Sequence, residues 1–139
     1  MKKTLLLTSL FFINFSSVAQ SDVNLVFHIG IGANGNFEIG GTVENNSAEE
    51  FIHSAITYIT IDKKCNPSEA YVANLGKIKS RDSLSFRIPV EGTLSSYRIL
   101  NISSWNRFGI PVSTEDKTVE IINKRNDDFI AKCSLDNNQ

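Results

Sequence analysis

Two cysteines, Cys65 and Cys133, are the residues of this 139-residue chain whose chemistry the sequence constrains most. Neither has another cysteine or a histidine nearby at the spacing of zinc ligands, which argues against a metal site. An even pair of cysteines in a small exported domain usually forms a disulfide. We therefore predict a Cys65–Cys133 bridge, which on the chain-entropy model stabilises the fold by about 4 kcal/mol. Free thiols and an interchain link are the alternatives.

The chain contains two histidines, His28 and His53, and each lies within a run of residues typical of a strand. Two histidines are too few for a His-rich metal site, and the chain has no G-x-S-x-G segment of the kind that positions a nucleophilic serine. We therefore expect no enzymatic activity, no cofactor and no metal site. A cleft that brings either histidine within hydrogen-bond distance of a carboxylate and a serine hydroxyl would argue for an enzyme.

Three glycines have the spacing of a nucleotide-binding motif but lack the structural context that this motif needs. Gly30, Gly32 and Gly35 spell G-x-G-x-x-G. In that fingerprint the third glycine packs inside a helix whose N-terminus meets a pyrophosphate. Here a run typical of a strand comes after the glycines, so they are predicted to serve a hairpin.

One cluster of side chains has the composition of a protein-binding site. Trp, Tyr and Arg dominate the energetics of protein interfaces, and Tyr97, Trp105, Arg107 and Phe108 lie close together in the sequence. Trp105 and Tyr97 are an even number of residues apart, so their side chains are predicted to lie on the same face of the strand. We expect Trp105 in the core, where the single Trp of immunoglobulin-like sandwiches often lies. Arg107 and Phe108 lie in the break after the strand. We predict that Arg107 and Phe108 bind protein, and that Tyr97 joins them if its strand face is exposed.

Short strands are the elements that must position these residues, because apolar residues alternate from residue 23 onward. The first strand is predicted to bury Val23, Leu25, Phe27, Ile29 and Ile31. The pair Asn34-Gly35 favours a two-residue hairpin turn into a second strand. Glycines and few charges leave this hairpin with little protection as an edge, so pairing or exchange of a strand with a second copy is predicted to give a homodimer.

The remaining predicted strands cover residues 51–62, 84–90, 97–105 with a continuation over 108–112, 118–122 and 128–133, and residues 70–75 could form a further short edge strand. Residues 66–69 could hold one helical turn, and Pro89 places strand 84–90 at an edge or end of a sheet. No longer amphipathic helix is predicted. Seven or eight short strands indicate an all-β fold, a fibronectin type III or immunoglobulin-like antiparallel β-sandwich.

The start of the chain has the features of a cleaved signal peptide, predicted over residues 1–19. Basic Met1–Lys3 precedes the apolar stretch Leu5–Phe15, and small residues up to Ala19 precede a cut before Gln20. The apolar stretch is too short for a membrane-spanning helix, which needs about 20 residues. We expect a single mature domain of residues 20–139 that is exported, either periplasmic or secreted, with no membrane span.

Composition and charge exclude other classes of protein. Hydrophobic residues make up 41% and charged residues 21% of the chain, which is close to the globular average and argues against disorder. Removal of Lys2 and Lys3 from the fourteen basic residues leaves twelve against fifteen acidic ones, a net charge of −3. Nothing in this balance indicates binding to nucleic acid.

Residues 41–47, Gly-Thr-Val-Glu-Asn-Asn-Ser, resemble the G-x-V-x-N-x-S opening of small bacterial sandwich domains named for a later aromatic-x-Leu-Tyr-Asp motif. The corresponding segment ends Ile59-Thr60-Ile61-Asp62, so Ile59 replaces the aromatic residue and no tyrosine precedes Asp62. The resemblance implies an extracytoplasmic module with fibronectin type III or immunoglobulin-like topology and no chemistry of its own.

As a whole, the chain resembles exported bacterial proteins that mimic interleukin receptors, with a Met-Lys-Lys-Thr leader, a sandwich over residues 20–139 and one cysteine pair. The resemblance implies a secreted protein that binds host cytokines. Receptors of that class often carry W-S-x-W-S, and the nearest segment here, Ser103–Asn106, lacks its order and its second Trp. The alternative is a periplasmic or envelope module that binds another bacterial protein as an adaptor.

Overall fold

The computed structural model describes residues 20–92 and 96–136, so the predicted signal peptide lies outside the described residues. The described strands are β1 Val23–Ala33, β2 Asn36–Asn45, β3 His53–Ile61, β4 Tyr71–Asn74, β5 Ser83–Val90, β6 Ser96–Trp105 and β7 Thr114–Asp116, and the helix α1 Val119–Asp136 comes after them. Asn34 and Gly35 both have positive φ angles, 54° and 80°, which confirms the predicted hairpin turn between β1 and β2.

The strands form two sheets that pack face to face, with the orders β5-β2-β1-β7 and β4-β3-β6. All pairs are antiparallel except β1 with β7, which run parallel over Val23–Leu25. The predicted all-β sandwich is therefore confirmed, and the described residues form seven of the predicted seven or eight strands. Its core consists of Val23, Leu25, Ile39, Val43, Phe51, Ile56, Tyr58, Ile78, Phe86, Ile88 and Ile102.

A β-bulge at Val26 reverses the face on which the rest of β1 places its side chains. Leu25 pairs with Val43, but Phe27 pairs with the adjacent Thr42, so Val26 is an extra residue in the ladder. Alternate side chains from Val23 to Ile31 were predicted to be buried along the whole of β1. This prediction is wrong beyond Leu25. The outer face of the sheet carries Phe27, Ile29 and Ile31, whose side chains are 52%, 40% and 42% exposed. His28 points into the sandwich instead.

A second bulge, at Leu100 in β6, has the same effect on the other sheet. Asn101 pairs with Thr57, but Ile99 pairs with the adjacent Tyr58. Tyr97 and Ile99 therefore lie on the inner face, whereas Trp105 lies on the outer face and is only partly buried. The prediction that Trp105 shares the face of Tyr97 is wrong, because sequence parity does not count the extra residue.

The C-terminal segment is helical, so the two predicted strands at 118–122 and 128–133 are wrong. The Thr118 carbonyl accepts a hydrogen bond from the Ile122 N–H at 3.0 Å, which makes Thr118 the N-cap, and Glu120 in the first turn suits the positive end of the helix dipole. Ile122, Phe129, Ile130 and Cys133 recur at three-, four-, seven- and eight-residue intervals, a spacing typical of a helix. The β-branched pair Ile121-Ile122 obscures that spacing.

The predicted Cys65–Cys133 disulfide is present, with the two Cα atoms 5.9 Å apart. It joins the β3–β4 connection to α1, and not to a last strand as predicted. Because α1 begins directly after β7, the helix is attached to the sandwich at both ends.

Two predictions about short segments are wrong, because each segment forms only an isolated bridge. Residues 66–69 form no helical turn, since Pro67 makes an isolated bridge with Ile61. Residues 108–112 form no strand beyond a bridge between Pro111 and Trp105. By contrast, the short strand β4 and the Pro89-containing β5 lie at sheet edges, as predicted.

The G-x-V-x-N-x-S segment has a structural role. The buried Asn45 amide nitrogen donates to the carbonyls of Glu49 at 2.7 Å and Lys79 at 3.0 Å, and its Oδ1 accepts from the Ser47 N–H at 2.9 Å. One side chain thereby fixes both the β2–β3 turn and the start of the loop before β5. A side chain at Gly41 would collide with the Phe86 ring and lie 2.5 Å from the Phe27 carbonyl oxygen.

Candidate protein-binding surface

The chain between β6 and β7 forms a tight loop, Asn106–Ile110, that its first residue organises. The Asn106 Oδ1 accepts hydrogen bonds from the N–H groups of Phe108 at 3.0 Å and Ile110 at 3.1 Å. The Asn106 carbonyl accepts from the Gly109 N–H at 3.0 Å, and its own N–H donates to the Ile110 carbonyl at 3.0 Å. Gly109 has a φ of 73°, which L side chains rarely adopt. These bonds hold the loop backbone in one shape.

The loop presents two large apolar side chains and one cation to solvent. The Phe108 side chain is 71% exposed and the Ile110 side chain 57% exposed. The Arg107 guanidinium lies 4.8 Å from the centre of the Phe108 ring, within the range of a cation–π contact. The structure thus brings Arg107 and Phe108 together at the surface. Sequence analysis missed Ile110, because it assigned residues 108–112 to a strand and not to an exposed loop.

Trp105 borders this loop at the end of β6, where it pairs in register with the exposed His53 of β3. Its ring is partly buried on the outer face of the three-stranded sheet, and its backbone bridges to Pro111. Trp105 therefore adds an aromatic surface beside the loop.

Tyr97 lies at the opposite end of β6, so the structure does not bring it together with Arg107 and Phe108. Its side chain faces inward and its hydroxyl is 2.7 Å from the Nδ1 of His28. Burial raises the pKa of Tyr97 to about 12. The two rings meet edge to face, with their centres 5.5 Å apart.

His28 is buried between the sheets, whereas His53 is exposed. Burial lowers the pKa of the His28 imidazole; the Asp116 carboxylate opposes this and Arg125 of α1 adds to it. A side-chain hydrogen-bond partner of His28 is the Tyr97 hydroxyl, so this contact links the inner faces of the two sheets.

Within the part of the chain that the structure describes, no three His, Cys, Asp or Glu side chains are grouped so as to hold a metal ion. Across the same residues, no helix combines the length and the apolar character that a membrane crossing requires. Shallow clefts occur beside β5 and α1, with volumes of about 260 to 420 Å³.

Comparison with known proteins identifies the fold and no family. No family model matches the chain, and no curated protein matches it. Among solved structures, one described as the structural characterization of IrmA from Escherichia coli superimposes with a TM-score of 0.50. The match covers 70% of this chain and 92% of that chain, at 14% sequence identity. The chain is therefore similar in fold to IrmA of Escherichia coli.

Proposed function

We propose that the mature domain is an exported β-sandwich binding protein that engages host cytokines through the Asn106–Ile110 loop. The observation that carries this proposal is the exposure of Phe108 on a loop whose backbone is already ordered. No catalytic role is part of it.

The loop has the properties that concentrate binding energy. Aromatic and arginine side chains dominate hot spots, and Phe108 with Arg107 supplies one of each. A backbone held by Asn106 loses little conformational freedom on binding, which leaves more of the contact energy as affinity. Exposed Ile110 and partly buried Trp105 extend the apolar surface around Phe108.

Two observations support a cytokine as the partner and export as the setting. The whole chain resembles exported interleukin-receptor mimics, and its fold is similar to that of IrmA. The Cys65–Cys133 disulfide is consistent with an oxidising compartment, where exported proteins fold.

A binding experiment with the mature domain tests the proposal. The immobilised domain is presented with a panel of purified human interleukins, and any that bind are titrated against Arg107→Ala and Phe108→Ala. Truncation of a hot-spot residue weakens binding by at least about 2 kcal/mol, roughly thirtyfold. Val72→Ala is the matched control, because Val72 is 70% exposed on β4, outside the loop. Binding within twofold of wild type in both loop variants, with unchanged melting temperatures, would show that the loop is not the site.

Cellular location and binding partner distinguish the alternative, a periplasmic or envelope adaptor, from a cytokine-binding protein. A protein found only in the periplasm, which captures an envelope protein and no interleukin, would replace the cytokine proposal.

Self-association is a further part of the proposal. Over Phe27–Ala33, no described strand pairs with the side of β1 that faces away from β2, and three exposed apolar side chains lie on this half of β1. This half of β1 offers a surface for a second copy by pairing or exchange of a strand. Light scattering across micromolar concentrations should give a dimer mass, and a monomer mass throughout would contradict it.

A further inference from the structure

The helix α1 has the position and the length to lie beside the part of β1 that β7 does not reach. β7 pairs with β1 only over Val23–Leu25, and α1 begins at Val119, directly after β7. The far end of α1 is joined through Cys133 to Cys65, in the loop that follows β3. From Val119 to Cys133 the helix rises about 21 Å at ~1.5 Å per residue. The Phe27–Ala33 half of β1 extends about 23 Å at ~3.3 Å per residue, so the two lengths match.

This course takes α1 past the contact between His28 and Tyr97. Tyr97 pairs with Thr60 near the end of β3, so the loop that contains Cys65 lies at the Tyr97 end of β6. His28 belongs to the half of β1 beyond β7, yet its side chain is only 6% exposed. Burial lowers the pKa of His28 and raises that of Tyr97, and the charge of Arg125, midway along α1, acts on both groups. The helix therefore covers the opening between β1 and β6 beside these two side chains.

The described side chains of α1 contribute little to the packing of the sandwich. None of them belongs to the hydrophobic core or to the partly buried apolar residues packed against it. Ile122 is partly buried, whereas Val119 and Ile121 are 47% and 62% exposed. Five of the 18 residues of α1 are Asn or Asp, which are weak helix formers. Because a helix in a protein is stabilised mostly by packing, α1 depends on its attachments at both ends.

The loop at the other side of the disulfide is held in shape by hydrogen bonds. The Asp62 carboxylate accepts from the N–H groups of Lys64 at 2.8 Å and Asn66 at 2.9 Å. The Cys65 N–H donates to the Asp62 carbonyl at 3.1 Å, and the Asp62 N–H donates to the Asn66 carbonyl at 3.1 Å. None of these bonds involves a sulfur atom, so the loop keeps its supports when the disulfide is cut.

The disulfide lies where a solvent thiol reaches it. Cys65 and Cys133 are both only partly buried, and Lys63, Lys64 and Asn66 around Cys65 are exposed. Thiol–disulfide exchange requires a thiolate to reach one of the two sulfurs. Reduction of this bridge therefore does not require the two sheets to separate first.

We propose that the Cys65–Cys133 disulfide is a redox latch: a dithiol reductant opens it and releases α1 from the side of the sandwich, while the two sheets stay folded. A thiolate of the reductant attacks one sulfur and forms a mixed disulfide, and the other cysteine leaves as a thiolate. The second thiolate of the reductant then displaces the first cysteine and closes a disulfide within the reductant. Two electrons pass to the bridge, and each released cysteine takes up one of the two protons that the reductant gave up.

Hydrogen exchange of the mature domain, measured by mass spectrometry with and without dithiothreitol, tests the latch. Reduction should make the amides of α1 exchange at least about tenfold faster, because the released helix is marginal on its own. The amides of β2 and β3 should stay protected. The fluorescence maximum of Trp105, at the opposite end of β6, should not move, since the sandwich stays folded. Reoxidation with oxidised glutathione should restore the protection of α1.

The imidazole of His28 reports on the opening beneath α1. In an NMR titration the pKa of His28 should rise towards its ordinary 6.5 after reduction, because burial and the charge of Arg125 both lower it while α1 is in place. The Asp116 carboxylate acts in the opposite direction, and it belongs to β7, which stays in the sheet. Exposed His53 provides the reference signal.

A variant that combines Cys65→Ser with Cys133→Ser separates loss of the bridge from other effects of the reductant. Its α1 amides should exchange fast without dithiothreitol and should not change when it is added. Unchanged protection of α1 in the reduced protein and in this variant would overturn the proposal, because the helix would then stay in place without the bridge. Loss of protection in β2, β3 and α1 together would also overturn it, because the bridge would then hold the whole domain. A released helix with an unchanged pKa of His28 would contradict the placement of α1 over this opening.

Discussion

The His28 Nδ1 and the Tyr97 hydroxyl lie 2.7 Å apart and join the inner faces of the two sheets. Both side chains reach this position because one bulge comes before His28 in β1 and another comes after Tyr97 in β6. Without the extra residue Val26, His28 would face solvent and Phe27 would face the core. This contact therefore forms only when both strands have the register described here. It also involves a buried imidazole, whose ionisation depends on its surroundings.

The first prediction concerns pH. Burial lowers the pKa of His28 below its ordinary 6.5 in the folded state, so the unfolded chain binds this proton more readily. The resulting stability is complete above about pH 6.5 and is lost as the pH falls from 6.5 through the folded pKa. Urea unfolding at a series of pH values should show the free energy of unfolding decreasing over that range.

The two histidines provide a matched comparison for this effect. His28→Gln should flatten the pH dependence, because it removes the titrating group, and exposed His53→Gln should leave it intact. If the free energy of unfolding changes with pH equally in wild type and in His28→Gln, other groups cause the loss of stability at low pH.

The second prediction uses adjacent glycines of β2. Gly41→Ala should destabilise the domain by about 1–3 kcal/mol, because the new Cβ collides with the Phe86 ring and the Phe27 carbonyl. Gly40→Ala is the control, since its Cβ would make an ordinary contact at 3.6 Å with Ile31. Thermal or urea melts decide the point, and equal effects of the two substitutions would contradict the close packing at Gly41.

The third prediction tests the reversed face of β1. Ile29→Thr should cost less than about 1 kcal/mol of stability, whereas Ile39→Thr, in the core of the same sheet, should cost about 2–4 kcal/mol. Urea unfolding of the two variants beside wild type measures both losses. Comparable losses at both positions would mean that Ile29 is buried in solution, either because the bulge at Val26 is absent or because a second copy covers this face.

The fourth prediction concerns the disulfide. Mass analysis of the exported protein without reductant should show Cys65 joined to Cys133 and no free thiol. Reduction should lower the free energy of unfolding by about 4 kcal/mol on the loop-entropy model, and by less if the unfolded chain retains structure. Two free thiols in the exported protein, or an unchanged melting curve after reduction, would disagree with this account.

The local pattern of the sequence was sufficient for most of the architecture. Alternating apolar residues indicated short strands, and Asn34-Gly35 specified the first turn because both residues tolerate positive φ. Cysteine count and predicted export indicated the bridge between Cys65 and Cys133. Pro89 marked an edge strand, because proline has no N–H to donate to a ladder. The Arg107–Phe108 pair was predicted as a protein-binding site from residue type and from its place after a strand, and this stays a prediction.

Only the tertiary structure shows which faces of the strands are buried and that a helix follows β7. A bulge adds one residue to a pairing between distant strands, and every later side chain then changes face, so parity within one strand could not place His28, Ile29 or Trp105. The segment after Thr118 contains β-branched residues that suit either a strand or a helix, and its helical state was not evident from local preference. The two clefts that β4 and β5 line form only when the two sheets stack, since these strands belong to different sheets.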